Sequence, residues 1–397
     1  MTSLSIVIPA YNEEAAIASI IERCLAVRES LQKEAQLSAL EIIVVSDGSS
    51  DRTVEIAQGY TEIKLIAYER NRGYGAALKT GFAASTGDIV SFLDADGTCD
   101  PKSFIPMCQL MAREQADIVL GSRMHKDSKM PPIRRLGNYF YAALISIIGN
   151  TMITDSASGM RIIKRSALDK LYPLPNGLHF TPAMSCKAVL DPTLKILEVK
   201  MPYEERTGRS KLNVFRDGIR LLNVILDISL SYRPRKIIGT IGLILLVIAS
   251  IYSFYPIEFY IKNHRLEEGM IYRLISVMVL AVGGLNIISV SEICQQMLTT
   301  AGKSFTKPKL SSYILQQIFS QTALLIWGTL LILIGLIVNL HTIIQYLTTG
   351  TVTAHWSYLI FGGTAVLSGL QLMSLGLLLR FMGFLIVRLQ PELETLN

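Results

Sequence analysis

From Lys236 onward the chain carries four long apolar runs, at about residues 237–256, 271–293, 313–340 and 357–379. Each reaches or exceeds the roughly 20 residues an α-helix needs to cross the hydrocarbon of a bilayer. No other feature limits the fold as strongly. Inside lipid every backbone N–H and C=O must be satisfied within the protein, and a helix does this with its own residues. Flanking charges sort by side. Arg233, Arg235 and Lys236 precede the first run, Lys303, Lys307 and Lys309 lie between the second and third, and Arg380 and Arg388 follow the fourth. The opposite side has Lys262, Arg265 and Arg273, diluted by Glu258, Glu267 and Glu268, and then "HTIIQYLTTGTVTAHW" without Lys or Arg. Positive charge concentrates on the cytoplasmic side of spanning helices, so both termini are expected there, at the plasma membrane if the cell is prokaryotic.

These runs account for a mean hydropathy of +0.39. Before them, to about Arg235, charged and apolar residues mix as in a globular domain. The formal charge of +6 includes no dense basic block, so nucleic acid is not an expected partner, whereas a membrane surface or a phosphorylated substrate is. The 5 cysteines form no Cys-x-x-Cys pair and read as reduced thiols rather than a disulfide or metal framework. The start, "MTSLSIVIPAYNEE", lacks the basic and apolar segments of a signal peptide.

The globular part alternates strand-like and helix-like segments. "LSIVIPA", "LEIIVVS", "IKLIAYE" and "DIVSFL" are short apolar runs, and helical spacing fills "EEAAIASIIERCLAV" and "GAALKTGFAAS" between them. A helix is expected to start near Thr53, capped by Ser50 or Asp51. Fully apolar strands alternating with helices imply a parallel sheet covered on both faces, with ligands beyond the carboxyl ends of the strands. Asp47, Asp94 and Asp96 stand at such ends. Glycines in "NRGYGAAL" suggest a dinucleotide fingerprint, but the third glycine position is Leu78 and no ribose-binding acid follows, so that reading is set aside. Two further segments fit the membrane interface. Leu136–Thr154 is uncharged but broken by Gly and Asn. "FRDGIRLLNVILDISLSY" puts Asp217, Arg220, Asn223, Asp227 and Ser231 opposite Phe215, Ile219, Leu222, Leu226 and Leu230.

In "VSFLDADGTCDP" the acids Asp94 and Asp96 alternate along an extended segment and can aim at one point. Two carboxylates repel a phosphate-bearing ligand unless a divalent cation lies between them, and magnesium characteristically takes one or two carboxylates and completes its shell with substrate phosphates. Alone the pattern is weak. In order, however, the chain has "IPAYNEE", "SDGSSD", "NRGYGAALKTG", "DADG", "VLGSR", "DSASGMRIIKR" and "RTGRSKL". This series resembles family 2 glycosyltransferases of GT-A fold, an α/β nucleotide-diphospho-sugar transferase domain, here followed by the all-α transmembrane region. The later motifs resemble the branch with dolichyl-phosphate mannose synthases and polyprenyl-phosphate glucosyltransferases.

The resemblance covers roughly residues 4–232, inside an expected domain over residues 1–235 with interfacial helices near 136–154 and 214–232, and the apolar runs add a four-helix transmembrane domain over 236–397. It implies Pro9, Tyr11, Glu13, Asp47, Lys79, Asp94 and Arg123 for the nucleotide-sugar, and Asp94 and Asp96 for magnesium or manganese. Arg206 and Lys211 would lie on a loop folding over the nucleotide. Arg123, Arg134, Arg135, Ser158 and Arg209 would meet the acceptor phosphate, with Lys164 and Arg165 helping to draw it in. Relatives often carry Gln where this chain has Thr98, and an aromatic-Gln-x-Glu pattern where it has "GLHFTPAMSCKAV". The expected reaction moves a sugar from a UDP- or GDP-sugar to a polyprenyl phosphate in the membrane, with association of copies through the helices left open. A lipid hydroxyl acceptor, with Asp155 as general base, is one alternative. A translocation or scaffold protein that only binds nucleotide-sugar is another.

Overall fold

The computed structural model describes residues 2–126, 128–206, 214–300 and 320–394. The chain divides into two compact units, residues 1–229 and 230–397.

In the first unit β1 (Thr2–Ala10), β2 (Leu37–Ser46), β3 (Lys64–Ala67), β4 (Ile89–Leu93), β5 (Ile118–Ser122), β6 (Met160–Lys164) and β7 (Ile196–Lys200) form one sheet in the order β3-β2-β1-β4-β6-β5-β7. The expected parallel pairing holds for β1 with β2 and β4, for β2 with β3, and for β5 with β7. It fails at β6, which runs antiparallel to both β4 and β5. The reason lies in the connection: the chain leaves β5 and enters β6 at the same end of the sheet, with α6 (Pro132–Gly149) between them.

Both faces are covered because the strands are apolar on both sides. Leu4, Ile6 and Ile8 of β1 face α1 (Ile17–Ala26) and α5 (Phe104–Glu114), through Ile17, Ile20, Ile21 and Cys24 of the first and Phe104, Met107 and Met111 of the second. The opposite face receives α4 (Tyr74–Ala84) and α8 (Phe180–Leu190). There Phe82, Phe92 and Phe180 meet with ring centroids 6.1–6.4 Å apart. Burying each such side chain contributes roughly 1.5–3 kcal/mol. The Thr53 helix, α3 (Thr53–Gln58), forms as expected, and Asp51 Oδ1 accepts the Thr53 N–H at 3.0 Å. The remaining short helices α2 (Arg28–Glu34) and α7 (Arg165–Leu171) complete the layers.

Helix α6 replaces the expected 136–154 segment. It exposes Ile133, Leu136, Tyr139, Phe140 and Ile147. Helix α9 (Val214–Tyr232) exposes Phe215 and Ile219 and buries Ile225 and Ser229 against Cys186 of α8. Tyr141 of α6 donates to the Gly218 carbonyl of α9 at 2.9 Å and ties the two helices together.

The second unit contains α10 (Pro234–Asn263), α11 (Ile271–Thr300), α12 (Gln321–Thr349) and α13 (Trp356–Glu394). Each includes a stretch long and apolar enough to cross a membrane. Boundaries shift from the sequence reading. The first helix continues through Pro256 to Asn263, and the described part of the third starts at Gln321 rather than 313 and ends at Thr349. Residues 313–319 lie outside the described residues. Small residues bring the helices together: a Cβ at Gly242 would stand 2.7 Å from the Gly284 carbonyl oxygen, and one at Gly369 would stand 2.6 Å from that of Gly328.

Candidate active site

The segments following Ala10, Ser46, Leu93 and Ser122, and the one preceding Met160, converge at one rim of the sheet. The first two fasten to each other. Asn12, at φ +51°, accepts from the Ser50 N–H at 2.7 Å, and the Glu13 N–H donates to Thr53 Oγ1 at 2.9 Å. Glu14 accepts from the Arg52 N–H at 3.1 Å. Tyr11 remains 38% exposed above them, and Pro9 is buried in β1. The Asp47 carboxylate, 3% exposed, accepts the N–H groups of Arg72 and Gly73 at 2.7 and 2.9 Å. It shapes the turn that starts α4. Gly73 there takes φ +104°, which a residue with a Cβ adopts only under strain. The first free N–H groups of α4, those of Gly75 and Ala76, go to the Asn176 carbonyl at 2.7 and 3.2 Å, which disposes of a dinucleotide site. Lys79 departs from its assigned place: its Nζ donates to the Leu174 carbonyl at 3.1 Å and ties down the connection before α8.

The two acids after β4 are held by different means. Asp96, 9% exposed, has Oδ1 fixed by the Thr98 N–H and hydroxyl at 3.1 and 2.7 Å. Thr98 thus orients the acid. Asp96 Oδ2 accepts from Arg206 Nη1 at 3.1 Å, while Arg206 Nη2 reaches Glu13 Oε1 at 2.6 Å. Asp94 is half-buried. Its Oδ1 accepts the Tyr74 hydroxyl at 2.7 Å, and its other oxygen lies against Gly159, where any Cβ would collide with it. Burial first, and the Asp96 charge second, push the Asp94 pKa up to about 7 against the opposing pull of Tyr74, Arg123 and Arg206. Burial and Asp94 likewise raise the Tyr74 phenol well above its ordinary range, so it stays a donor. Cys99, also raised to about 12 chiefly by burial, stays a thiol and takes no part as a nucleophile.

Arg123 and Asp155 form the inner pillar of the rim. Arg123 Nε and Nη2 bond the two carboxylate oxygens at 2.7 and 2.8 Å, its N–H adds a third bond at 3.0 Å, and Asn138 adds another at 2.8 Å. Burial works to raise the Asp155 pKa, but the Arg123 charge and these bonds hold it below the usual carboxylate range. With 0% exposure and both oxygens engaged, Asp155 is not placed to serve as a general base. Ser158 is also corrected. It is fully buried and donates to the Gly121 carbonyl at 2.5 Å, a fold contact rather than a phosphate contact. Lys164 and Arg165 sit at the far end of β6, where Lys164 pairs with Asp117 at 3.3 Å and Arg165 donates to the Gly87 carbonyl at 2.8 Å. They cannot steer an anion to the rim.

Beyond Arg123, which stacks 5.4 Å from the Tyr203 ring centroid, lies a cavity of about 710 Å³ lined by His125, Lys126, Arg135, Lys200, Tyr203 and neighbours. Arg135 is steadied by a bond to the His125 carbonyl at 3.0 Å, and Arg134 stands beside it at the start of α6. Arg209 and Lys211 lie outside the described residues. Among the described residues no group of 3 or more His, Cys, Asp and Glu could hold a metal unaided. Asp94 and Asp96 nonetheless fit a divalent ion that completes its shell with phosphate oxygens, and Asp96 already accepts positive charge from Arg206.

Residues 5–172 match the model for Glycosyl transferase family 2, and residues 234–390 match a family described as Domain of unknown function (DUF8752). The chain is 31% identical over 255 residues to the low-salt glycan biosynthesis hexosyltransferase Agl6 of Haloferax volcanii, covering 62% of this chain and 59% of that protein. It is 29% identical over 236 residues to the dolichyl-phosphate hexose transferase of the same organism, covering 58% and 96%. It is 25% identical over 327 residues to the dodecaprenyl-phosphate galacturonate synthase of Rhizobium johnstonii, covering 80% and 93%. Residues 5–172 thus form a domain of glycosyl transferase family 2, and two relatives matched over most of their own length are named dolichyl-phosphate hexose transferase and dodecaprenyl-phosphate galacturonate synthase.

Proposed function

We propose that the chain is a membrane-bound enzyme that transfers one sugar from a UDP- or GDP-sugar to a polyprenyl phosphate. The carrying observation is the pair Asp94 and Asp96 at the strand ends, with Arg206 bridging Asp96 to Glu13. The nucleoside lies on the first two motifs, beside Tyr11 and Glu13. The donor diphosphate sits over Asp94 and Asp96, which would hold magnesium or manganese. Such an ion, when bound, neutralises charge on the departing diphosphate as a Lewis acid. Arg206 adds a positive charge at the same place, and it is strong there because burial lowers the local dielectric. Arg123, fixed by Asp155, receives the acceptor phosphate together with Arg134 and Arg135.

The acceptor class follows from what a base would have to do. A hydroxyl must lose its proton to a group within reach, and Asp155, the acid proposed for that task, has both oxygens occupied. A lipid phosphate is already ionised and needs no base. The exposed faces of α6 and α9 rest on the membrane interface, with the catalytic unit and both termini on the cytoplasmic side. A pure scaffold would have no use for two acids and an arginine converging on one point.

The test is a reaction of the detergent-purified chain with polyprenyl phosphate, a panel of UDP- and GDP-sugars, and manganese or magnesium. The expected product has the mass of polyprenyl phosphate plus one sugar residue. Transfer only to a lipid hydroxyl, or donor binding with no transfer to any lipid, would overturn the proposal.

A further inference from the structure

We propose that Tyr74 is a positioning residue for the donor site: its hydroxyl sets the orientation in which Asp94 meets the metal-bridged diphosphate. The inference rests on the donor reading above. Asp96 is oriented from within its own loop, by Thr98. Asp94 has no such local support and depends on a residue 20 positions earlier, through the 2.7 Å bond from the Tyr74 hydroxyl to Oδ1. Its other oxygen lies beside Gly159, where a Cβ would collide with it, so a phenol and a bare Cα flank the carboxylate.

The phenol is itself anchored. Tyr74 opens α4, and the turn before it is held by Asp47 through the Gly73 N–H at 2.9 Å. The next residue, Gly75, is bonded to the Asn176 carbonyl at 2.7 Å. Asp47 therefore acts on the metal site at second hand: it fixes the turn, the turn fixes Tyr74, and Tyr74 fixes Asp94. Partners that orient a metal-binding carboxylate change metal affinity or activity by roughly 10–100-fold when removed.

The experiment uses the full chain in detergent, with Mn²⁺ and UDP as probes. Mn²⁺ affinity is read by electron paramagnetic resonance at saturating UDP, and UDP affinity by calorimetry with divalent ions chelated. Tyr74→Phe keeps the ring and removes only the hydroxyl. It should weaken Mn²⁺ binding about tenfold, at the lower end of that range, and leave metal-free UDP binding unchanged. Tyr68→Phe removes a hydroxyl bonded to Thr80 of the same helix, away from the acids, and should leave both affinities unchanged. Wild-type Mn²⁺ affinity in Tyr74→Phe would overturn the inference, as would equal loss in Tyr68→Phe. Should Tyr74→Phe fail to fold, Gly159→Ala displaces the same carboxylate from its other side and must show the same selective loss. Unchanged Mn²⁺ affinity there refutes the inference. Absence of Mn²⁺ binding in the wild-type chain would instead refute the metal reading itself.

Discussion

Replacing Asp155 by Asn tests whether this acid is a structural pillar. The substitution keeps the shape but removes the charge that balances Arg123, whose side chain is 12% exposed, beside an Asp155 side chain that is 0% exposed. Removing one partner of a buried pair costs about 3–5 kcal/mol, and because Asn retains one acceptor oxygen the lower value, about 3 kcal/mol, applies. For a domain of this size each kcal/mol lowers the melting temperature by about 2–4 °C, so a fall of about 6–12 °C is expected. A thiol-reactive dye reads the transition directly: Cys24, Cys99, Cys108 and Cys186 are free and buried in the first unit. Arg123→Met should cost about as much. The double variant should cost clearly less than the two together, since neither charge is then buried alone. The depressed pKa also fixes a pH dependence. The ionised pair stabilises the fold above the ordinary carboxylate pKa, and that contribution is lost as pH falls below about 3.8 through the lower folded value. Asp155→Asn should remove it. Melting within 2 °C of wild type, by the same scale, or strict additivity in the double variant, would refute the reasoning.

Arg206→Lys should slow transfer roughly 100-fold, because lysine cannot span Glu13 and Asp96 as the guanidinium does; a turnover number within threefold of wild type would remove Arg206 from the site. Lys79→Met should leave the KM for donor unchanged and lower the melting temperature by loosening the Leu174 connection; a raised KM would return Lys79 to the nucleotide pocket. Gly369→Leu should separate α12 from α13 at a cost of about 1–3 kcal/mol, read by the fluorescence of Trp327 and Trp356, which lie in those helices; an unshifted transition would contradict the close packing.

The strand and helix alternation and the four long apolar helices were legible because hydrophobic pattern and length report secondary structure directly. Strand direction was not. "MRIIK" is equally apolar read either way, and only its neighbours decide that β6 runs against β4 and β5. The same division holds at the site. Asp94, Asp96, Arg123 and Arg206 were named from motif order, and the fold brings them to one rim. What Asp155, Ser158 and Lys79 do was not, because a polar residue type does not reveal which of its atoms the fold has already satisfied. Tyr74 left no signal in spacing: it lies inside a glycine-rich stretch whose familiar reading concerns a different ligand, and its bond to Asp94 exists only in three dimensions.

The reversed direction of β6 has an architectural consequence. The chain departs the reactive rim at Ser122 and returns to it at Met160, so everything between is a closed detour with both feet beside the chemistry. Residues added to or removed from that detour need not shift any strand past its neighbour. Of the connections between described strands, this one can change in length while both of its ends stay fixed beside Asp94 and Asp155.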